Sequence, residues 1–246
     1  GSIAELRKYI LEKDYPDLNT SRMKIHIVEA SPRVLNTMSV QASGKAENAL
    51  QKMGIILHLN TKVSSYDGLN LDAGDLQLKT KTLIWAAGVK GAPVDGISAD
   101  TIVGNRILVN EFNQVNGFDN IFALGDVALQ KSDERPKGYP MLASVAQQQG
   151  EKLGKSLNLW LKSKKMTPFV YKDQGTMATF GRNAAVVDLP FWKFGGLFAW
   201  FIWMFVHLML LVSFRNRVVV FVNWTWSYFS YDKGARLIIP RFKKKQ

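Results

Sequence analysis

The 246-residue sequence has no cysteine, which excludes disulfides, thiol catalysis and every metal site built on thiolates. Histidine is nearly as scarce. His26, His58 and His207 lie far apart and lack the short spacings of a zinc site, so no metal is expected. No G-x-G-x-x-G occurs anywhere, so the glycine loop that offers N–H groups to a pyrophosphate is not among these residues. The opening SIAELRKYILEKD is an amphipathic helical pattern without the apolar h-region of a signal peptide. Low-complexity tracts and convincing internal repeats are also missing.

What is present is globular: 47% of residues are hydrophobic and 21% charged, enough for one large domain or two ordinary ones. The formal charge of +12 is unevenly spread. Residues 1–159 carry 18 basic and 17 acidic side chains, whereas residues 160–246 carry 14 basic and 3 acidic. Five of the seven tryptophans (Trp192, Trp200, Trp203, Trp224 and Trp226) cluster within residues 192–226 of that stretch. Two regions with different physical tasks are implied.

Hydrophobic periodicity gives the elements. Residues 3–13 read as a helix with Ile3, Leu6, Ile10 and Leu11 on one stripe. KIHIVEA (24–30) reads as a buried parallel strand ending at Glu29. Residues 31–54 read as a helix with Ser31 as N-cap, Pro32 in its first turn and Gly54 just past its end. IILHL (55–59) is a short strand, and segments near 61–66, 69–71 and 75–80, separated by DG and AG turns, suggest an antiparallel meander. KTLIWAAGV (81–89), RILVN (106–110) and IFALGD (121–126) read as further strands, and residues 141–162 as a helix.

This alternation implies an α/β fold with a mostly parallel sheet, in which ligands gather at the carboxyl ends of strands. Three strand ends carry suggestive residues: Glu29, Ala86-Ala87-Gly88 and Gly125-Asp126. A carboxylate in the position of Glu29 can accept both ribose hydroxyls of NAD and repels the 2′-phosphate of NADP. Ala-Ala-Gly leaves room for a cofactor ring against the backbone. Asp126 could hold a ribose or ribityl hydroxyl, although Gly-Asp is also ordinary turn chemistry. Singly these signals are weak; in this order on one chain they favour dinucleotide binding.

KIHIVEASPRVL, TLIWAAGV, NIFALGDVA, PMLASVAQQQGEKLG and AWFIWMFVHLMLLVSFRNRVVVFVNWTWSYFSYDKGARLI, in that order, resemble type II NADH:quinone oxidoreductases. These are non-proton-pumping FAD enzymes of respiratory membranes, similar in fold to pyridine nucleotide-disulfide reductases. The resemblance implies a partial two-dinucleotide-binding-domain flavoprotein with a parallel sheet and an antiparallel meander, followed by a hydrophobic, basic, membrane-associating helical region. Residues 1–87 would be an incomplete NADH domain, 88–165 the returning part of the FAD domain, and 166–246 the membrane-facing region. Glu29 and Ala30 match the family's NADH ribose site, and Ala87 and Gly88 the backbone lining the nicotinamide. Gly125, Asp126 and Val127 match its FAD-binding turn. Gln148 matches a glutamine beside the flavin at the quinone pocket, and Ser144 stands where the family often has a second glutamine. A hydroxyl is shorter than an amide and cannot replace its paired donor and acceptor.

The implied reaction passes a hydride from NADH to FAD and two electrons on to a quinone, with no side chain assignable as acid or base. By the same likeness, the sequence begins just downstream of its own phosphate loop. The chain alone is then expected to retain neither FAD nor NADH and to be inactive.

Residues 194–214 form a 21-residue run with one histidine and no formal charge, as long as the ~20 residues of a spanning helix. A transmembrane helix, monotopic insertion and a soluble core helix all fit this pattern. Lys193, Arg215, Arg217, Trp192, Trp224 and the terminal RFKKK favour a headgroup region, and the resemblance favours monotopic attachment to the cytoplasmic face. His207 reads most simply as a hydrogen-bonded structural group. The competing reading, a nucleic-acid-binding module, takes its force from the basic and aromatic content. Against it, the aromatics sit in an uncharged block and are not interleaved with the cations, so no nucleic-acid partner is expected. The implied partners are NADH, quinone and membrane lipid; a homodimer is left open.

Overall fold

The computed structural model describes residues 1–230. The basic RFKKK and the end of the last family-like motif lie outside the described residues. Helix α1 (Ser2–Leu6) runs on through a π-helical turn (Arg7–Leu11) into a last turn, Glu12–Asp14. Then come β1 (Ile25–Val28), α2 (Val40–Lys52), β2 (Ile55–His58), β3 (Ser65–Tyr66), β4 (Asn70–Ala73) and β5 (Leu76–Lys79). The chain continues through β6 (Ile102–Val103), β7 (Arg106–Val109), β8 (Ala128–Gln130) and α3 (Ala143–Trp160). The last described elements are β9 (Thr176–Gly181), β10 (Ala184–Asp188), β11 (Lys193–Gly196), α4 (Leu197–Leu210) and α5 (Phe214–Ser230).

The chain forms two compact units: Gly1–Leu83 with the segment from Gly175 onward, and Ile84–Gln174. In the first, β1 and β2 pair in parallel, Ile25 opposite Ile55 and Val28 opposite His58. The alternation of a strand puts Ile25, Ile27, Ile55 and Leu57 on one face, where they pack with Ala4 of α1 and Ala46 and Leu50 of α2. The antiparallel sheet β9–β10–β11 is covered on both faces. Val186 meets Met38 and Ala42 of α2, while its neighbours Ala185 and Val187 meet Ala199 of α4. The meander β3–β4–β5 is antiparallel, with Asp67 receiving the N–H groups of Leu69 and Asn70 in its turn.

In the second unit β7 pairs with β6 antiparallel and with β8 in parallel. Ile107, Val109, Val115, Ala123 and Ala128 form its core. The α/β reading holds, with parallel pairing confined, among the described residues, to β1–β2 and β7–β8.

Four expected elements differ. The helix expected from residue 31 starts at Val40. Ser39 caps it by accepting the Ala42 N–H, and Leu35 takes a positive φ that no helix interior allows. The expected strand at 81–89 is irregular, with Ile84 63% and Trp85 69% exposed. A strand exists only beside a hydrogen-bonded neighbour, and among the described residues β1 and β2 pair only with each other. Residues 121–124 are extended but not a regular strand. Their backbone groups bond to the 113–115 segment, Ala123 N–H to Asn113 and Val115 N–H to Ile121, and the regular strand follows at β8. The apolar run 194–214 is broken at both ends. Residues 193–196 belong to β11, and Ser213 has φ 75° between α4 and α5.

Among the described residues no helix is long and apolar enough to cross a membrane. The 14 residues of α4 rise about 21 Å, short of a hydrocarbon core of ~30 Å.

Candidate functional site

The turn Gly125–Val127 is one turn of 3-10 helix leading into β8. Gly125 has φ 70°, which suits a residue without a side chain, and a methyl there would meet the Ala146 side chain at 3.3 Å. Its N–H donates to Oε1 of Gln149 at 2.7 Å. Gln149 is 1% exposed and lies on the buried face of α3 with Val145, Leu153 and Ser156. One buried amide therefore ties the turn to the helix.

Asp126 is exposed and hydrogen-bonded to nothing among the described residues; Val127 is half-buried. Burial lowers the Arg106 guanidinium from its ordinary value, and the Asp126 carboxylate partly opposes this. The guanidinium donates to the Ala128 and Tyr139 carbonyls at 2.5 and 3.0 Å, so it holds both ends of the segment between them.

Ser144 and Gln148 lie one turn apart on α3 and engage consecutive residues of one segment. Ser144 Oγ is 2.9 Å from the Tyr171 hydroxyl. The Gln148 amide donates to the Lys172 carbonyl and accepts the Lys172 N–H, both at 3.0 Å. Tyr139, Val145 and Phe169 form the apolar floor beneath them, with the Tyr139 ring edge-on to Phe169 and Tyr171.

The expected NADH residues divide between the units. Glu29 follows β1 directly, half-buried, and accepts the Ser31 N–H at 2.7 Å; Ala30 is exposed beside it. Ala87 and Gly88 lie in the irregular segment of the other unit, exposed, and space around Gly88 is open.

Gln149, Tyr171 and Arg106 were not singled out from the sequence. Gln149 had a signal: the spacing 145, 149, 153, 156 marks the buried stripe of α3 and excludes Gln148 from it. His207 is accounted for locally, since its Nδ1 donates to the Trp203 carbonyl one turn earlier at 2.7 Å.

The last two helices leave much apolar surface uncovered: Phe198, Phe201, Phe205, Leu210, Val212 and Phe214 are all exposed. Arg215 is exposed among them, and Arg217 donates through Nε to the Leu211 carbonyl at the end of α4.

Residues 14–150 match the family model described as pyridine nucleotide-disulphide oxidoreductase, more than half of the chain. The chain belongs to the pyridine nucleotide-disulphide oxidoreductase family. Residues 174–230 match the NDH2 C-terminal domain, which places the chain on the type II NADH dehydrogenase branch of that family.

It is 28% identical over 253 residues to the type II NADH:quinone oxidoreductase NdhA of Mycobacterium tuberculosis, covering 97% of this chain and 53% of that protein. It is 30% identical over 175 residues to the type II NADH:quinone oxidoreductase of Staphylococcus aureus, covering 69% of this chain and 43% of the relative. The chain thus spans about half the length of the curated relatives it matches. In fold it is similar to Plasmodium falciparum NDH2 in complex with NADH, with a TM-score of 0.83 at 18% identity over 93% of this chain and 62% of that one.

Proposed function

We propose that this chain is the part of a respiratory NADH:quinone oxidoreductase that carries one side of the FAD site, the NADH ribose acceptor and the membrane-facing region. The observation that carries the reading is the presence on one chain of the oxidoreductase match over 14–150 and the NDH2 C-terminal match over 174–230. NdhA of Mycobacterium tuberculosis, named for NADH and quinone, aligns with 97% of this chain. The division into 1–87, 88–165 and 166–246 belongs to this proposal.

FAD fits the residues present. A carboxylate that is exposed and without a hydrogen bond among the described residues, Asp126, follows a glycine held at φ 70°. Gly125, Asp126 and Val127 would hold the cofactor. When bound, the flavin supplies acceptance of a hydride from NADH and delivery of two electrons to quinone. Glu29 would accept the ribose hydroxyls of NADH, its carboxylate oriented by the Ser31 N–H. Ala87 and Gly88 would admit the nicotinamide. Ser144 and Gln148 would line the quinone side, and their bonds to Tyr171 and Lys172 give that wall a fixed shape. No described side chain is assigned as proton donor.

The exposed aromatics of α4 and α5, with Arg215, support peripheral or monotopic attachment to a membrane surface, and the cytoplasmic face belongs to the same proposal. The test uses the native full-length protein isolated from membranes of the cells that express it. It should carry bound FAD and oxidise NADH with a short-chain quinone as acceptor. A flavin-free preparation, or NADH oxidation indifferent to added quinone, would overturn the reading.

A further inference from the structure

Two of the three histidines, 32 residues apart in sequence, meet across β1 and β2: Nδ1 of His26 is 2.9 Å from Nε2 of His58. The rings are nearly parallel, 10° apart in plane with centroids separated by 5.2 Å. The meeting follows from the strand register. His26 lies opposite Ile56 and His58 opposite Val28, so both imidazoles stand diagonally on one face of the pair. That face is the opposite of the one buried by α1 and α2. Both rings are half-buried, fixed by the backbone yet open on one side.

We propose that His26 and His58 form a bidentate site for a divalent first-row transition ion, with Cu(II) the preferred occupant. Metal–imidazole bonds are ~2.0–2.1 Å long, so two nitrogens on one ion lie about 2.9 Å apart at a right angle and about 3.3 Å apart at the tetrahedral angle. The separation here is 2.9 Å, which matches adjacent positions of a square plane, the geometry of Cu(II) and Ni(II). Cu(II) is the stronger of the two with nitrogen donors.

Both imidazoles must be neutral to bind. Burial, His58 and Lys24 all hold His26 below its ordinary value, the direction that favours a ligating ring. The ring now donating between the two nitrogens moves its proton to its other nitrogen, which frees both facing nitrogens for the ion. Among the described residues no group of three or more histidine or carboxylate ligands comes together. Water therefore completes the coordination.

The site does not depend on the oxidoreductase reading, but it touches the same strand pair. The His58 carbonyl accepts the Glu29 N–H at 2.9 Å. An ion on the two rings would pin β1 to β2 at the base of the turn that carries Glu29.

The experiment is a Cu(II) titration of the full chain, followed by electron paramagnetic resonance and by thermal melting, on the unaltered chain and on His26→Gln, His58→Gln and His207→Gln. One equivalent should bind in an axial site with two nitrogen ligands and raise the melting temperature. Either variant of the pair should weaken binding by about 10-fold or more and abolish the thermal shift. His207→Gln should change neither. Paramagnetic broadening of amide signals in the unaltered chain should centre on Ile27 and Leu57, a readout independent of how the variants fold. Binding that survives in both pair variants, or broadening centred on the amino terminus, would assign the ion elsewhere and overturn the proposal.

Discussion

The N–H of Gly125 donates to Oε1 of Gln149 at 2.7 Å, joining the turn that presents Asp126 to the buried stripe of α3. A buried donor that loses its acceptor is expensive, ~1–3 kcal/mol. Gln149→Leu keeps most of the side-chain volume and leaves the Gly125 N–H without a partner, so it should destabilise the chain by about that amount. Gln148→Leu removes two hydrogen bonds to Lys172 at a half-exposed position, where water can replace them. Its cost should be smaller, ~0.5–1.5 kcal/mol. Urea denaturation of the two variants side by side decides the matter. Equal losses would mean that the Gln149 bond carries no special weight.

Asp188 and Ser39 give the pH dependence. Asp188 accepts the Ser39 N–H at 2.5 Å and pairs with Lys193 at 3.5 Å. Burial raises its carboxyl, but the bonds from Ser39 and the charge of Lys193 outweigh that and hold it below the ordinary carboxylate value. A carboxyl depressed by folding stabilises the fold above its unfolded value. That contribution disappears as pH falls through the folded one. Stability should therefore decline from about pH 4 downward, and Asp188→Asn should flatten that decline while lowering stability at pH 7. Denaturation midpoints at pH 7, 4 and 3 measure both effects, and an acid limb unchanged in the variant would exclude Asp188 as a contributor.

The same pair shows where sequence reading succeeded and where it stopped. β1, β2, the meander and α3 were legible because their signals are local: alternation over four residues, DG and AG turns, an apolar stripe at helical spacing. The start of α2 was not. Ser31 and Ser39 are both competent N-caps, and the contact that accompanies Ser39 comes from Asp188, 149 residues away. Residues 81–89 failed for a related reason, since an apolar run shows a demand for burial but not whether a strand stands beside it. At the candidate site, Asp126 stood out by its place after an apolar run and a glycine, whereas Gln148 and Ser144 came only from the family resemblance. The buried amide behind them, Gln149, lay one residue off the reading. The His26–His58 contact follows from strand register, which no short motif encodes.

Glu29 offers a direct test of cofactor choice in the native full-length protein. Its carboxylate accepts the Ser31 N–H at 2.7 Å, a bond that a glutamine oxygen can keep. Glu29→Gln therefore removes charge while preserving the local hydrogen bond. Preference for NADH over NADPH, taken as the ratio of kcat/KM values, should fall roughly 10-fold, the equivalent of ~1.4 kcal/mol, because the carboxylate no longer repels the 2′-phosphate. An unchanged ratio would remove Glu29 from the nucleotide site.

The exposed surface of α4 and α5 makes the final prediction. Phe205 and Phe214 are exposed, the latter 79%, with Val212 between them in sequence and Arg215 next in line. Two forces would hold such a surface on a bilayer: burial of the rings, insensitive to salt, and attraction of cations to anionic headgroups at ~1 kcal/mol each, which salt screens. They separate experimentally. The chain should co-sediment with vesicles containing anionic phospholipid, and high salt should weaken but not abolish binding. Phe205→Asp with Phe214→Asp should abolish it even at low salt, because two carboxylates would have to enter the interface. Arg215→Gln should reduce only the salt-sensitive part. Mixed-sequence DNA included in parallel tests the opposing use of the same charge: co-sedimentation with DNA but not with vesicles would overturn the membrane reading and leave the aromatics to base stacking.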